Sequence, residues 1–122
     1  MNKFDLNNKN AIITGGAQGF GLDIAKRFLQ SGAKVIIWDI DEKELKKASK
    51  LINGQNLSYD VVDVSDPKIV DDVVKKRISK TNIDILINSA GITGSTAELW
   101  NYDYEEWKKI IDINLHGTFN CC

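Results

Sequence analysis

The stretch NAIITGGAQGFG, residues 10–21, decides the fold of this 122-residue chain. Asn10–Thr14 is a short apolar run, which predicts a buried strand, and Gly15–Gly21 is a glycine-rich turn that follows it at once. The next apolar residues recur at helical spacing, at Leu22, Ala25, Phe28 and Leu29. Gly32 then predicts the end of a helix, because glycine accepts the left-handed backbone found there. A strand, a glycine-rich turn and a helix are therefore expected in immediate succession.

The same alternation continues along the rest of the chain. Further strands are predicted at Lys34–Asp39, Leu57–Val62 and Ile83–Asn88, and further helices at Asp41–Ile52, from Pro67 to about Lys80, and from near Tyr104. The inner face of the second helix is predicted to carry Leu45, Ala48, Leu51 and Ile52. Short connections and nearly continuous Ile, Val and Leu strands are typical of a parallel sheet covered on both faces. We therefore predict an α/β, Rossmann-like, doubly wound parallel sheet of strand order 3-2-1-4, with the fourth strand at an edge.

Composition and charge exclude several classes of protein. The 43% hydrophobic and 27% charged fractions are those of a globular domain, not of a disordered or collagen-like chain. Lys and Arg total 16 against 17 Asp and Glu, so no basic patch for nucleic acid is expected. No apolar run approaches the roughly 18 residues of a membrane span, and the first residues lack the apolar core of a signal peptide. A cytoplasmic protein without membrane contact is expected.

Residue types that build other active sites are scarce. His116 is the only histidine, so neither a histidine-based triad nor a metal cluster is predicted. The only cysteines, Cys121 and Cys122, are adjacent and provide no disulfide framework. We expect both cysteines at interior or interface positions of a helix.

The glycine-rich turn predicts a phosphate site. The first helix presents unpaired N–H groups and a partial positive charge at its start, and glycines let the backbone approach a pyrophosphate closely. The spacing is Gly15-x-x-x-Gly19-x-Gly21; the commoner G-x-G-x-x-G would need glycine where Ile24 stands. A tight turn without a ligand is the alternative, but the strand–turn–helix context favours nucleotide binding.

Asp39 ends the second strand, where an acid can accept hydrogen bonds from the ribose of an adenosine. A 2′-phosphate at that point would meet a like charge, so NAD is favoured over NADP. Gln18 in the glycine turn supports this choice, because no Arg or Lys is there to hold the extra phosphate. The alternative is that Asp39 only caps the helix that starts at Asp41.

Four motifs occur in order along the chain: the glycine turn after Thr14, the pair Asp63-Val64, the turn Asn88-Ser89-Ala90-Gly91, and Asn114 within Ile113–Phe119. Together and in this order they resemble the short-chain dehydrogenase/reductase family. Ser89 departs from the family's second asparagine. By this resemblance, the cofactor-binding residues would be Gly15, Gln18, Gly19, Phe20, Gly21, Asp39, Ile40, Asp63, Val64, Asn88, Ala90 and Gly91.

Each of these motifs also has a purely structural interpretation. Asp63 could cap the third helix, and Asn88–Gly91 could be an ordinary turn at the end of a strand. Asn114 could be a solvated helix residue, although its apolar neighbours favour a buried role with a hydrogen-bond partner. The collinear order of the motifs favours the functional interpretation.

The resemblance implies an NAD-dependent oxidoreductase that transfers hydride between nicotinamide and a secondary alcohol or ketone. The sequence is most similar to the 3-oxoacyl-carrier-protein-reductase-like group, which includes sugar and alcohol dehydrogenases. The family's catalytic serine and Tyr-x-x-x-Lys pair are expected beyond Cys122, and Asn114 would support that pair. Residues 1–122 are thus expected to form the cofactor-binding half of a single domain, inactive alone, in an enzyme that forms a dimer or tetramer.

Tyr104 and Lys108 formally match Tyr-x-x-x-Lys but lie at the start of the helix that leads to Asn114, ahead of the family's position. We expect them to be structural or exposed. The alternative from a different class is that the 122 residues form a non-catalytic nucleotide-binding or regulatory module.

Overall fold

The structure, a computed structural model, describes residues 3–122. Its four strands are β1 (Asn10–Thr14), β2 (Lys34–Asp39), β3 (Leu57–Val61) and β4 (Ile85–Asn88). Its α-helices are α1 (Gly19–Gln30), α2 (Glu42–Ile52), α3 (Pro67–Ile78), α4 (Tyr104–Ile111) and α5 (Gly117–Cys121). A 3₁₀ turn at Leu99–Asn101 precedes α4, and a π-helical segment, Asp112–His116, joins α4 to α5.

The strands form one parallel sheet in the order β3-β2-β1-β4. In its centre Ile12 of β1 is paired with Ile36 of β2 and with Leu86 of β4. The predicted strand order is confirmed, and β4 is an edge strand of this sheet. The chain runs from β1 outward through β2 and β3 and then returns to the other side of β1, so the direction of winding reverses between β1 and β4.

Two apolar cores, one on each face of the sheet, confirm the doubly wound arrangement. On one face, Ile13 and Ile37 pack with Ala25 of α1 and Leu45 of α2. The other face places Ile12, Ile36 and Trp38 against α3 and the segment that includes α5, through Val70, Ile113 and Cys121. Successive strand residues point to opposite faces, which is why adjacent Ile12 and Ile13 belong to different cores.

Several local predictions differ from the structure: β3 ends at Val61, α2 begins at Glu42 and α3 ends at Ile78, each within two residues of its predicted bound. Helix α1 begins at Gly19, before the apolar stripe that starts at Leu22. Strand β4 begins only at Ile85, after Asp84 has paired with Asn10 through its N–H and its carboxylate. Leu51 is 68% exposed although it was expected on the inner face of α2. At 100° per residue Leu51 lies about 120° around the helix from buried Leu45, so it points away from the sheet.

The region after β4 leaves much apolar surface exposed. The large exposed apolar side chains there are Leu99, Trp100, Tyr104, Trp107, Leu115 and Phe119. The accessible surface of the chain is 8285 Å², against about 6,600 Å² expected for a compact protein of this mass. Apolar side chains around α4 and α5 thus remain exposed, although Ile113 and Cys121 of this region pack against the sheet.

Candidate functional site

A cleft of 430 Å³ opens at the carboxyl ends of the strands. It lies where the winding direction reverses between β1 and β4, the position at which open α/β sheets bind ligands. All the predicted cofactor-binding residues except Asn88 line it. Its lining comprises Gly15, Gln18, Gly19, Phe20, Gly21, Asp39, Ile40, Asp41, Val62, Asp63, Val64, Ser89, Ala90, Gly91, Ile92 and Ile113.

The glycine turn requires glycine at two points for different reasons. Gly15 has φ +61°, and a Cβ there would lie 2.8 Å from both the Ala90 Cα and the Ser89 carbonyl oxygen. Gly19 has φ +59°, but no heavy atom of the described residues would lie within 4 Å of a Cβ placed there. Gly15 thus lets the turn pack against the end of β4, whereas Gly19 leaves the backbone without a side chain in the lining of the cleft.

The N-terminus of α1 has no side-chain cap. Gln18 stands at the N-cap position in extended backbone (φ −158°, ψ 172°), makes no cap hydrogen bond, and no acid lies in the first turn. The first N–H groups of a helix have no intrahelical acceptor, and together they carry a partial positive charge. Gly21 and the exposed Phe20 flank this helix end within the cleft. The end is therefore suited to an anionic group such as a pyrophosphate.

Asp39 joins the glycine turn to the start of α2. One carboxylate oxygen accepts from the Ala17 N–H at 3.4 Å, and the other accepts from the Asp41 N–H at 3.2 Å. The cap of α2 is Asp41, whose carboxylate accepts from the Lys43 and Glu44 N–H groups. The interpretation of Asp39 as that cap is wrong. A carboxylate has about four lone-pair sites, so Asp39 retains acceptor capacity toward a ligand beside exposed Ile40.

Asp63 and Val64 form the wall of the cleft that follows β3. The Asp63 carboxylate accepts from the Ser65 N–H at 3.0 Å and from its hydroxyl at 2.6 Å. Helix α3 is capped by Asp66, which excludes Asp63 as its N-cap. Val64 is only 7% exposed. This wall is a structured turn outside the sheet.

The turn after β4 is held by Thr14, a residue to which sequence reasoning assigned no role. Thr14 is 1% exposed, and its hydroxyl accepts from the Ser89 N–H at 3.1 Å and the Ala90 N–H at 3.0 Å. A hydroxyl at the last position of β1, immediately before the glycine turn, was the available signal. Asn88 is placed elsewhere: its amide lies 3.5 Å from the Cys122 sulfur, and it does not line the cleft.

Asn114 does not line the cleft itself but is hydrogen-bonded to Ile92, which does. Its amide oxygen accepts from the Ile92 N–H and its amide nitrogen donates to the Ile92 carbonyl, both at 2.9 Å. The expected partner therefore exists, but the burial prediction is wrong, because Asn114 is exposed. It lies in the π-helical segment, with adjacent Ile113 lining the cleft. Five lining residues were not among the predicted ones, and the available signal was that each adjoins a predicted site residue: Asp41, Val62, Ser89, Ile92 and Ile113.

The formal Tyr-x-x-x-Lys match is outside the cleft. Tyr104 is 70% exposed, Lys108 is also exposed, and neither lines the cleft.

Burial raises the pKa of the Cys121 thiol to about 11, so this sulfur is protonated at neutral pH. Among residues 3–122, no three His, Cys, Asp or Glu side chains are grouped to hold a metal ion. In the same range, no helix is both long and apolar enough to cross a bilayer.

The sequence and the fold of this chain are similar to those of known proteins. A family model described as short chain dehydrogenase matches residues 9–122. The 3-oxoacyl-(acyl-carrier-protein) reductase FabG of Chlamydia muridarum is 40% identical over 119 residues, which cover 94% of this chain and 48% of the relative. The chain thus spans about half the length of the curated relatives it matches.

Two solved structures have the same fold with a nicotinamide dinucleotide bound. The 3-ketoacyl-(acyl-carrier-protein) reductase from Brucella melitensis, complexed with NADH, superposes with a TM-score of 0.90 at 35% identity and covers 96% of this chain and 48% of its own. ElxO with NADP bound superposes with a TM-score of 0.87 at 32% identity, covering 93% of this chain and 47% of its own.

Proposed function

The chain belongs to the short chain dehydrogenase family, and from that premise we propose that the whole protein is an NAD-dependent oxidoreductase. It would transfer hydride between the nicotinamide and the carbon of a secondary alcohol or ketone. The catalytic serine and Tyr-x-x-x-Lys pair would lie outside these 122 residues, in the same domain. A 3-oxoacyl thioester is the first substrate class to test, because the Chlamydia muridarum relative is named for that reaction. Sugars and simple alcohols come second.

One observation carries the proposal: an uncapped helix end with a bare glycine turn faces the cleft beside an acidic strand end. The N–H groups at the start of α1 would bind the pyrophosphate, with Gly15, Gly19 and Gly21 allowing its close approach. Asp39 would accept from the adenosine ribose. The space next to Gly19 fits such a ligand, because no side chain among residues 3–122 fills it.

The two ends of the cleft would hold different halves of the dinucleotide. Asp63 and Val64, next to β2 and its Asp39, would border the adenine, and Ala90 and Gly91 would line the nicotinamide end. The bound nicotinamide would supply the hydride acceptor or donor. Asn114 would position the turn after β4 through its paired hydrogen bonds to Ile92 and support the catalytic pair. Asn88 would act only indirectly, because its side chain faces Cys122.

Asp39 supports the choice of NAD over NADP. Asp39 lines the cleft, and its carboxylate would repel a 2′-phosphate on the ribose it binds. Family membership leaves this choice open, because the two solved neighbours hold NADH and NADP respectively. Titrating the 122-residue chain with NADH and with NADPH, followed by nicotinamide fluorescence, tests the proposal. We expect NADH to bind at least tenfold more tightly, about 1.4 kcal/mol; equal or tighter NADPH binding would contradict it.

A second candidate function for these 122 residues is nucleotide binding without turnover. It is favoured by the exposed position of Tyr104, outside the cleft, since this tyrosine begins the only Tyr-x-x-x-Lys of the chain. We expect the chain to bind NADH but to oxidise no alcohol. Turnover by the chain alone would show that it carries a complete catalytic set. Turnover only by a longer version with the downstream pair, which we propose to be a dimer or tetramer, would support the first function.

A further inference from the structure

One face of α5 contacts Val64, the residue that follows Asp63 in the wall of the cleft. The Asn120 side-chain amide donates to the Val64 carbonyl oxygen at 2.9 Å. Because a carbonyl oxygen can only accept, it is the nitrogen of the Asn120 amide that faces it. Gly117 is buried one helical turn earlier, and residues three apart share a helix face. Both residues therefore contact the same short segment of chain.

The contact at Gly117 depends on the missing side chain. A Cβ built at Gly117 would lie 2.7 Å from Val64 Cγ2 and 3.3 Å from Val64 Cβ. Valine is stiff about its first side-chain torsion, so it could not turn aside freely. Any larger residue at 117 would displace either α5 or Val64. Gly117 and Asn120 thus fix both the side chain and the backbone of Val64.

Val64 packs in the core with Ile12, Ile36 and Trp38 of the sheet, but the backbone hydrogen bonds of the sheet stop short of Asp63 and Val64. The last backbone hydrogen bond between β2 and the chain leaving β3 runs from the Val62 N–H to the Asp39 carbonyl, at 2.9 Å. Beyond it, the Asp66 N–H bonds to the Asp63 carbonyl, which closes a turn upon itself. The Asn120–Val64 hydrogen bond ties the backbone of this turn to a separate element, across 56 residues of sequence.

We propose that Asn120, with Gly117, is a positioning residue that sets the base end of the cleft and thereby the affinity for the purine of the dinucleotide. This inference rests on the proposed function, in which Asp63 and Val64 border the adenine. The Asp63 carboxylate accepts hydrogen bonds, so it favours the exocyclic amino group of adenine and disfavours the exocyclic oxygen of hypoxanthine. Displacing Val64 moves Asp63, its neighbour in the chain, and weakens that discrimination.

The experiment compares two ligands that differ only in the purine, NADH and reduced nicotinamide hypoxanthine dinucleotide, on the 122-residue chain. Asn120→Ala removes the amide, and Asn120→Asp keeps its size but places an acceptor against the Val64 carbonyl. We expect Asn120→Ala to weaken NADH binding about fivefold, the equivalent of about 1 kcal/mol for one neutral hydrogen bond. Asn120→Asp should weaken it more. The hypoxanthine analogue should lose less affinity in both variants, so that the preference for adenine narrows.

Asn101→Ala is the matched control, because Asn101 also makes one side-chain hydrogen bond, to exposed Glu98, but lies away from the cleft. It should leave both affinities and their ratio unchanged. Equal losses for the two ligands in the Asn120 variants, or no loss, would overturn the proposal, as would failure of both variants to fold. If the unaltered chain binds neither dinucleotide, the proposed function itself fails, which is a separate outcome.

Discussion

The N-terminus of α1 and the N-termini of α2, α3 and α4 are built in opposite ways. Each of the latter three has an aspartate at the N-cap, whose carboxylate accepts from N–H groups of the first turn. These caps are Asp41, Asp66 and Asp103. At α1 the N-cap is Gln18, which makes no side-chain cap bond and is followed by glycine and no acid. Only α1 begins at the glycine turn that lines the cleft.

This difference shows how a helix end can serve stability or binding. A good cap contributes about 1 kcal/mol to the helix that carries it. Helix α1 lacks that contribution, and its first N–H groups stay available to an anion. The neighbouring helices show that the chain uses aspartate caps freely elsewhere. The uncapped end of α1 is consistent with the anion site that we propose there.

Gln18→Asp would convert the α1 end into one like α2 and should have the largest effect. The new carboxylate would accept from the first-turn N–H groups and repel a pyrophosphate. We expect NADH affinity to fall about thirtyfold, or about 2 kcal/mol, while thermal stability stays equal or rises. Fluorescence titration and thermal unfolding measure the two effects. Unchanged NADH affinity would mean that the anion binds elsewhere.

Asp39→Ser tests the acidic side of the same site. Removing the carboxylate should weaken NADH binding about tenfold and strengthen NADPH binding, because a like charge no longer faces the 2′-phosphate. The ratio of the two affinities is the measurement, since the lost contacts to Ala17 and Asp41 would affect both ligands alike. Asp72→Ser, at an exposed acid of α3 paired with Lys68, is the control. A ratio that does not move would remove Asp39 from the specificity argument.

Asp66→Ala removes the aspartate cap of α3 and so makes its N-terminus similar to that of α1. The Lys68 and Ile69 N–H groups would lose their acceptor, at a cost of about 1 kcal/mol, which corresponds to a fall of about 4 °C in Tm. NADH affinity should not change, because Asp66 does not line the cleft. Gln18→Ala is the stability control, since it has no cap bond to lose. A similar fall in Tm for both variants would show that α1 is capped in some other way.

Tyr104→Phe should have the smallest effect. Tyr104 is the first residue of α4, whose N-terminus is capped by the Asp103 carboxylate. Glu105 and Glu106 add negative charge in the first turn, so this helix end does not favour an anion. We expect NADH affinity to be unchanged, and turnover of a longer, active version to stay within a factor of about two of the original. A large fall in kcat with cofactor affinity intact would assign Tyr104 to the chemistry.

The central strands were predictable to the residue, whereas the edges of the fold were not. β1 and β2 have the predicted bounds, because continuous apolar runs buried on both faces leave no other placement. β4 is shorter than its apolar run, since it has a strand on one side only and Asp84 ends the pairing with β1. On α2, Leu51 shows that an apolar residue beside a helical stripe need not belong to it.

Within the candidate site, local patterns predicted most of the residues that line the cleft. The glycine turn and the strand-ending Asp39 are recognisable from spacing alone. Asn88 shows the limit: it follows Ile87 in β4 and points to the same face as Leu86, toward α5, where its amide meets Cys122. Its direction follows from the sheet register, which a resemblance in sequence does not supply.

The order of elements, the bare start of α1 and the acid at the end of β2 follow from the sequence by itself, because each depends on neighbours within a few residues. Tertiary structure decided the ties that shape the cleft: Thr14 to the turn after β4, Asn114 to Ile92, and Asn120 to Val64. These hydrogen bonds join segments 75, 76, 22 and 56 residues apart. Such partners meet only after the strands have paired and the helices have packed, so no local spacing could have revealed them.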